Sequence, residues 1–522
     1  MKKTRILQFI VVLLIGSSAC AQITDISTDT DLGTGAFEGE PYLAINPLNP
    51  QNIVVAWMHV SSSRSIRVRS SFNGGQTWST PYDVPHFWIN EGDPTMAFDN
   101  SGNLFLCFID HKNAIPDTGA VYSFKSTDGG LTWGNRAEVI NMAADSGSHQ
   151  PVDRPWLVCD RSSGSLQGTL YVTTKPASGT PAPYHPYFIK STDGAQTWQP
   201  FRYVDSTGWL SALPTPLAVP VVSSNGTFYC IYPSYLPSQN PLPRYLMASS
   251  ANGGTSFNYS VVMNNTSPVV NDSAKLGWQL IANPSNANHL AFFNIKATYG
   301  DADVFMTETY NAGITWSTPI RINDDVLGND KMQDLVWASF DSDSDLVVCW
   351  RDRRNGAGVG YAASSQIFGA VRWKDSINFS PNFIISDTLV AYNNILLQGG
   401  NDFLSQRVQN DTLYIVWGDT RTGFLNIWFD KIALVNNISN GIINIAHDKL
   451  PFIEIYPNPA NGIVQVNTNN QKNVSIELRS LRGELIREYS TNSFSVSNLE
   501  NGVYFVIVKT DKQISTRKLV KQ

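Results

Sequence analysis

The chain has 522 residues, of which 42% are hydrophobic, 11% aromatic and only 15% charged, with 37 Gly and 28 Pro. That balance excludes a disordered tail, a coiled coil and a collagen-like rod, and points to short strands and tight turns in up to three domains. The formal charge is −6 with no basic run, which excludes nucleic acid and anionic membrane surfaces as generic partners.

The N-terminus reads first. Lys2, Lys3 and Arg5 precede an apolar run from Ile6 to Ile15, followed by Ala19-Cys20-Ala21. This is the order of a secretory signal, residues 1–21, with cleavage before Gln22. The run falls short of the ~20 residues a membrane span needs, and no later segment is long and apolar enough. Ser17 stands where a lipoprotein acceptor at Cys20 would want Leu. Losing three basic residues takes the mature chain to −9, of which residues 22–447 carry −12 and the tail +3. Cys107, Cys159, Cys230 and Cys349 each lie in an apolar strand-like run, which favours buried thiols over disulfides. No C-x-x-C or H-E-x-x-H occurs, so zinc has no support.

Next comes a repeat. The pattern S-x-D-x-G-x-T-W occurs at 126–133, with variants at 71–78, 191–198, 250–257 and 309–316, spaced 55, 65, 59 and 59 residues apart. The Asp or Asn can accept hydrogen bonds from turn amides, Gly permits positive φ, and Trp fills the gap between strands. Each copy follows three strand-like segments, the first pair reading PYLAINPLNPQNIVVAW at 41–57. Seven such units can be counted, the last ending near Ile432 without an outer strand. Gln22–Thr28 (QITDIST) alternates as that missing strand should.

These octapeptides resemble the Asp-boxes, or bacterial neuraminidase repeats, of sialidase-type propellers. The resemblance implies an all-β, seven-bladed (alternatively six-bladed) sialidase-like β-propeller over 22–432, a known answer to the edge-strand problem. It also implies that the boxes lie on the face opposite the ligand, so their Asp residues belong to turns. The sialidase Arg-Ile-Pro of the first inner strand is replaced by Glu40-Pro41-Tyr42.

After a linker at 433–450 the composition shifts. The segment 451–522 opens with IEIYPNPANGIVQV and ends ISTRKLVKQ; it reads as a small antiparallel β-sandwich with Gly turns. Through Tyr456-Pro457-Asn458-Pro459, Gly462, Gly483, Gly502, Tyr504 and the basic end, it resembles the type A sorting domain of the type IX secretion system of Bacteroidetes. That implies engagement of the type IX machinery and export through periplasm and outer membrane, to the surface or the medium.

In a propeller, starts of first strands and ends of second strands share the channel mouth. There the sequence places Glu40, Asp93 and Asp153 as candidate catalytic carboxylates, with Arg154, His111, Tyr235, Arg353 and Arg421 as candidate substrate-binding groups. Carboxylates for acid–base work, Arg for anionic groups and rings such as Trp88, Trp156 and Trp209 for sugar faces are the chemistry of a glycan site. His149 and His185 flank the same face. Three readings stay open: a glycoside hydrolase of sialidase-like, exo-acting type on extracellular glycans or glycoproteins, a non-catalytic glycan- or protein-binding propeller, and a polysaccharide lyase. No cofactor is expected; calcium at Asp341–Asp345 would lack a complete ligand loop.

Overall fold

The computed structural model describes residues 22–35, 37–112, 118–142, 152–176, 185–205, 218–234, 244–264, 277–392, 401–435, 454–467, 475–480, 485–509 and 514–522. The chain divides into two compact units, Met1–Ile438 and Ser439–Gln522.

The first unit is a ring of antiparallel sheets. Among its described residues there are seven, six built as meanders of four strands from the centre outward and the seventh as three such strands covered by two short N-terminal ones. The inner strands are Phe37–Asn46, Asn90–Phe98, Val152–Cys159, Val219–Val222, Trp278–Ala282, Gln333–Phe340 and Ser405–Gln409. Each neighbours the next, and the seventh neighbours the first, so the sheets stand as blades around a channel. Alternation along each strand buries both faces between adjacent blades. Leu43, Val55 and Trp57 of the first blade, for instance, pack with Val416, Ile427 and Phe429 of the seventh.

The seam of the ring lies in the seventh blade. Its third strand, Asn426–Val435, runs three residues past Ile432 and is covered by Gln22–Asp25, in a register from Gln22 opposite Val435 to Asp25 opposite Ile432. A second pairing, Thr30–Asp31 with Phe429 and Trp428, extends the cover. The missing outer strand is thus supplied by the N-terminus, shorter than the expected 22–28: Gln22–Asp25, with Thr30–Asp31 beyond it. Polar contacts fix its far end: the Ser27 hydroxyl donates to Asp430, the Lys431 amide donates to Ser27 Oγ at 3.0 Å, and Arg421 grips Asp29.

The octapeptide turns repeat one wiring. The first-position hydroxyl accepts the amide four residues on, as Ser126 does from Gly130 at 2.9 Å and Thr309 from Gly313 at 2.9 Å. The Asp or Asn side chain accepts the seventh-position amide, Thr132 to Asp128 at 2.9 Å and Thr77 to Asn73 at 2.9 Å. The closing Trp leans on the preceding blade: Trp78 meets Phe429 edge-on at 5.0 Å, and Trp198 Nε1 donates to Ser123 at 2.9 Å. These Asp residues serve their turns, on the face away from the starts of the inner strands.

The second unit, described by itself, stacks a sheet of Glu454–Tyr456, Ile463–Asn467 and Ser493–Ser495 against one of Leu485–Tyr489, Ser475–Arg479, Gly502–Lys509 and Ile514–Lys521. Val464, Val466, Ile476, Leu478, Phe494 and Val506 make its core. Cys107, Cys230 and Cys349 are buried free thiols and Cys159 is half-buried and free.

Two outcomes test this account. At Gly254, φ is +77° and a Cβ would come within 2.3 Å of the buried Phe188 ring. Gly254→Ala should therefore lower unfolding stability by about 1–3 kcal/mol in a denaturant titration. At the seam, burial, against a hydrogen bond from Ser27, lifts the Asp430 carboxyl to about 7, with Asp25 and Asp29 adding to the lift. A carboxyl raised on folding holds extra protons in the native state, so its contribution falls as pH climbs from the ordinary carboxylate range to about 7, and is level above that. Hydrogen-exchange protection of residues 22–31 should accordingly be lower at pH 8 than at pH 5, and Asp430→Asn should remove most of that difference.

A charged floor over an aromatic plug

Four inner strands carry the same irregularity. Register to the second strand skips between Gly39 and Tyr42, Gly92 and Thr95, Asp153 and Trp156, and Asp334 and Trp337. Each skip leaves two residues unpaired: Glu40-Pro41, Asp93-Pro94, Arg154-Pro155 and Leu335-Val336. Proline suits the second place because it has no N–H to leave unbonded. The first residue sits at positive φ, 55°, 54°, 50° and 56° in turn, a conformation that costs an L residue roughly 1–2 kcal/mol. Leu335 takes it too, so the bulge belongs to the blade design. Its effect is to re-aim a side chain, and in the first three blades that side chain is charged.

The residues after the bulges close the channel below. Tyr42, Trp156 and Trp337 meet one another at ring-centroid distances of 5.5–6.2 Å, and Phe403 of the seventh blade joins them at 5.6 Å from Trp156 and 6.1 Å from Trp337. These rings form a buried plug, and Trp156 packs within it while also bordering a crevice at the floor.

Above the plug the charges gather. Glu40 Oε2 accepts the Asp93 amide at 2.9 Å, joining the first two blades. Arg154 of the third blade reaches across the mouth to Asp402 of the seventh in an ion pair. Asp153 is held by the buried Lys175 Nζ at 2.5 Å, its cross-strand partner. Burial, then the Glu40 charge, push the Asp93 carboxyl well above the usual carboxylate range, with Arg154 opposing. Asp153 goes the other way. Burial would raise it, but Lys175 and then Arg154 outweigh that and hold it below its ordinary value, and a hydrogen bond links it to Asp93. Two adjacent carboxyls are thus driven in opposite directions, Asp93 up and Asp153 down. The crevice beside them, lined by Asp93, Pro94, Arg154, Pro155, Trp156 and Phe403, is closed so tightly that it leaves no room for a water molecule.

Four of the eight residues expected at the site, Glu40, Asp93, Asp153 and Arg154, meet on this floor. Arg353 does not. It is 2% exposed and bonded to Asp334, to the Met332 and Tyr361 carbonyls and, over its face, to the Tyr361 ring at 4.6 Å. Asp334 serves Arg351 and Arg353 together and is held at about 2: burial alone would raise it, and those two guanidiniums more than reverse that. Arg353 is therefore a buried structural cation, contrary to the expectation that it clamps an anion. Arg421 is likewise used up, on Asp419, on Asp29 of the closing strand and on the Trp428 face at 4.1 Å. His111 ends the second strand of the second blade, opposite Asn90 and Gly119. His185 is buried against Tyr203 at 4.8 Å. Tyr235, His149 and Trp209 lie outside the described residues.

Asp402 and Lys175 are the partners that motif reading left out of the site. The signal for Lys175 was its place at a second-strand end, where blade six has Arg351 opposite Asp334. Carboxylate oxygens of Asp341, Asp343 and Asp411 lie within 4.8 Å of one another, on turns of blades six and seven facing away from the floor. Asp343 pairs with Lys374 at 3.0 Å and Asp341 accepts the Asp411 amide at 2.9 Å, so these charges are in part already met within the protein.

Residues 454–522 match the secretion system C-terminal sorting domain. The chain is thus addressed for type IX export to the cell surface or beyond it. Among the described residues no helix is long and apolar enough to cross a membrane. No curated protein matches. Among solved structures, a protein of unknown function from Dyadobacter fermentans aligns at 14% identity and TM-score 0.42, over 67% of this chain and 98% of that one. The Hadza microbial sialidase Hz136 aligns at 13% and 0.44, over 71% and 74%. An α-L-arabinanase from Penicillium chrysogenum aligns at 12% and 0.42, over 65% and 92%.

The floor makes one spectroscopic prediction. Asp93→Asn should remove one component of the protonated-carboxyl C=O infrared band that persists above the ordinary carboxylate range, and leave the component that belongs to Asp430. Lys175→Met, by removing the charge that holds Asp153 ionised, should shift the titration of the Asp93 component and leave it in place.

Proposed function

We propose that this exported propeller acts on extracellular glycans at the charged floor, as a glycoside hydrolase of sialidase-like type. The observation that carries the reading is the divergence of Asp93 and Asp153. Paired titratable groups whose pKa values are pushed in opposite directions at a channel mouth are the arrangement that acid–base chemistry uses. Asp93, its carboxyl pushed up toward the protonated form, donates its proton to the leaving oxygen as the glycosidic C–O bond breaks. Asp153 takes the hydrogen bond and steadies the pair through Lys175. Glu40, the second carboxylate of the floor, accepts the proton of the water that adds at the sugar carbon. Arg154, fixed by Asp402, offers positive charge to an anionic substituent.

A second reading, a binding propeller without turnover, has its own observation. The floor crevice leaves no room for a water molecule, where ligand pockets ordinarily begin at ~300 Å³, and Arg154 already has a partner.

The purified chain, incubated with sialylated, neutral and uronate-bearing glycans and read by mass spectrometry, decides between them. Hydrolysis adds the mass of water to the products. Asp93→Asn should then cut the rate by about 10²–10⁴, the ordinary worth of a general acid. An unsaturated product would mean a lyase, and binding without any product would mean the second reading.

A further inference from the structure

The mouth carries a second feature, apart from the floor. Between the outer strand of the first blade, Tyr82–Asp83, and the inner strand of the second, Asn90–Phe98, the chain reads Pro85-His86-Phe87-Trp88-Ile89. Phe87 and Ile89 are 62% and 60% exposed. Such a run in a connecting loop would ordinarily turn inward, because exposed apolar side chains lose the ~25 cal/mol per Å² that burial returns. Here it is fixed in the outward position. The carboxylate of Asp110, itself 1% exposed, accepts the Phe87 amide at 2.8 Å and the Trp88 amide at 3.0 Å, and the Ile89 carbonyl accepts the Arg64 amide at 2.9 Å. The Arg136 guanidinium backs the Phe87 ring at 4.5 Å and lies on Tyr122 at 4.7 Å. Trp88 stands edge-on to Phe87, ring centroids 5.1 Å apart and planes at 88°.

We infer that Phe87 and Trp88 form a distal subsite that stacks a sugar ring of an extended glycan. The inference rests on the glycan reading above. A corner of two perpendicular rings, held rigid before any ligand arrives, offers the apolar C–H face of a pyranose a surface with little ordering to lose. Arg136 and Arg64 supply hydrogen-bond donors to the hydroxyls or acidic groups at the sugar's edge. Position argues the occupant. Trp88 lies five residues before Asp93 on a chain that becomes the inner strand, so at about 3.3 Å per residue the corner is at most roughly 16 Å from the floor. That bound is within reach of a short chain whose end occupies the floor. The charges of the floor and the rings of the corner then divide the work, chemistry at one and length selection at the other.

The test is a chain-length series on the full chain. Affinities for a disaccharide and a hexasaccharide of each of three kinds, neutral arabinan, uronate-containing and sialylated, are measured by calorimetry for the wild type, Phe87→Ala and Trp88→Ala. Both side chains are partly or largely solvent-facing, and a thermal melt superimposable on the wild type checks that folding is intact. For the kind that binds, each variant should weaken the hexasaccharide about tenfold, as for truncating an aromatic anchor, and leave the disaccharide unchanged. Equal hexasaccharide affinity in wild type and variants would overturn the subsite while the glycan reading stands. Loss of both lengths alike would place the rings in the floor site and overturn a separate distal role. If the wild type bound none of the six probes, the glycan reading and this subsite would fall together.

Discussion

A ring of sheets is stable only if it closes, and here closure depends on one short pairing. Every other sheet takes its four strands from one continuous stretch of chain. The seventh takes its cover from residues 22–25 and 30–31, some four hundred residues away in sequence. Without that cover the strand Asn426–Val435 would present an open ladder edge, and the first and seventh blades would be held by side-chain packing and a few hydrogen bonds, such as the Glu38 amide to the Leu425 carbonyl at 2.7 Å. The mouth depends on the same seam. Arg154 of blade three meets Asp402 of blade seven across it, so the floor exists only while the ring is shut.

Much of the architecture was legible because its signals are local. In the octapeptide turns, hydroxyl, carboxylate and amides lie within seven residues of each other, so the pattern that names the turn also builds it. The closing strand was legible from alternation and from the absence of a partner for the last unit. The floor was legible in half. Glu40-Pro41, Asp93-Pro94 and Arg154-Pro155 share a charged residue before proline at a strand start, the footprint of the bulge that gathers them. What sequence does not carry is where a long side chain spends its charge. Arg351-Asp352-Arg353-Arg354 reads as an exposed cationic rim, yet Arg351 and Arg353 are swallowed by Asp334, and Arg354 returns to Asp352 and bridges to Asp324. Those distances are set by packing between blades, which no local spacing encodes.

Equivalent positions put to different uses show how the fold yields a site. Asp153 opposite Lys175 and Asp334 opposite Arg351 occupy the same place in blades three and six. In blade six a second guanidinium completes the cluster and the residue at the bulge is Leu335, so the charges are sealed. In blade three the bulge residue is Arg154, and Asp153 faces Asp93 across the boundary with blade two. A cross-strand ion pair that is sealed in one blade stands, with one neighbour changed, beside a second carboxyl whose pKa is pushed the opposite way.

The seam also has a mechanical side. The last strand of the ring lies between Thr412–Asp419 and the N-terminal strand, hydrogen-bonded along both edges, and its final residue Val435 leads toward the sorting unit. A pull along this strand during passage out of the cell loads two ladders in shear, many bonds at once, where an edge strand would peel bond by bond. Cutting the chain anywhere beyond Val435 leaves the fastening untouched, because the piece that locks the ring comes from the other terminus. The cargo can be towed by its tail and then lose it without coming undone.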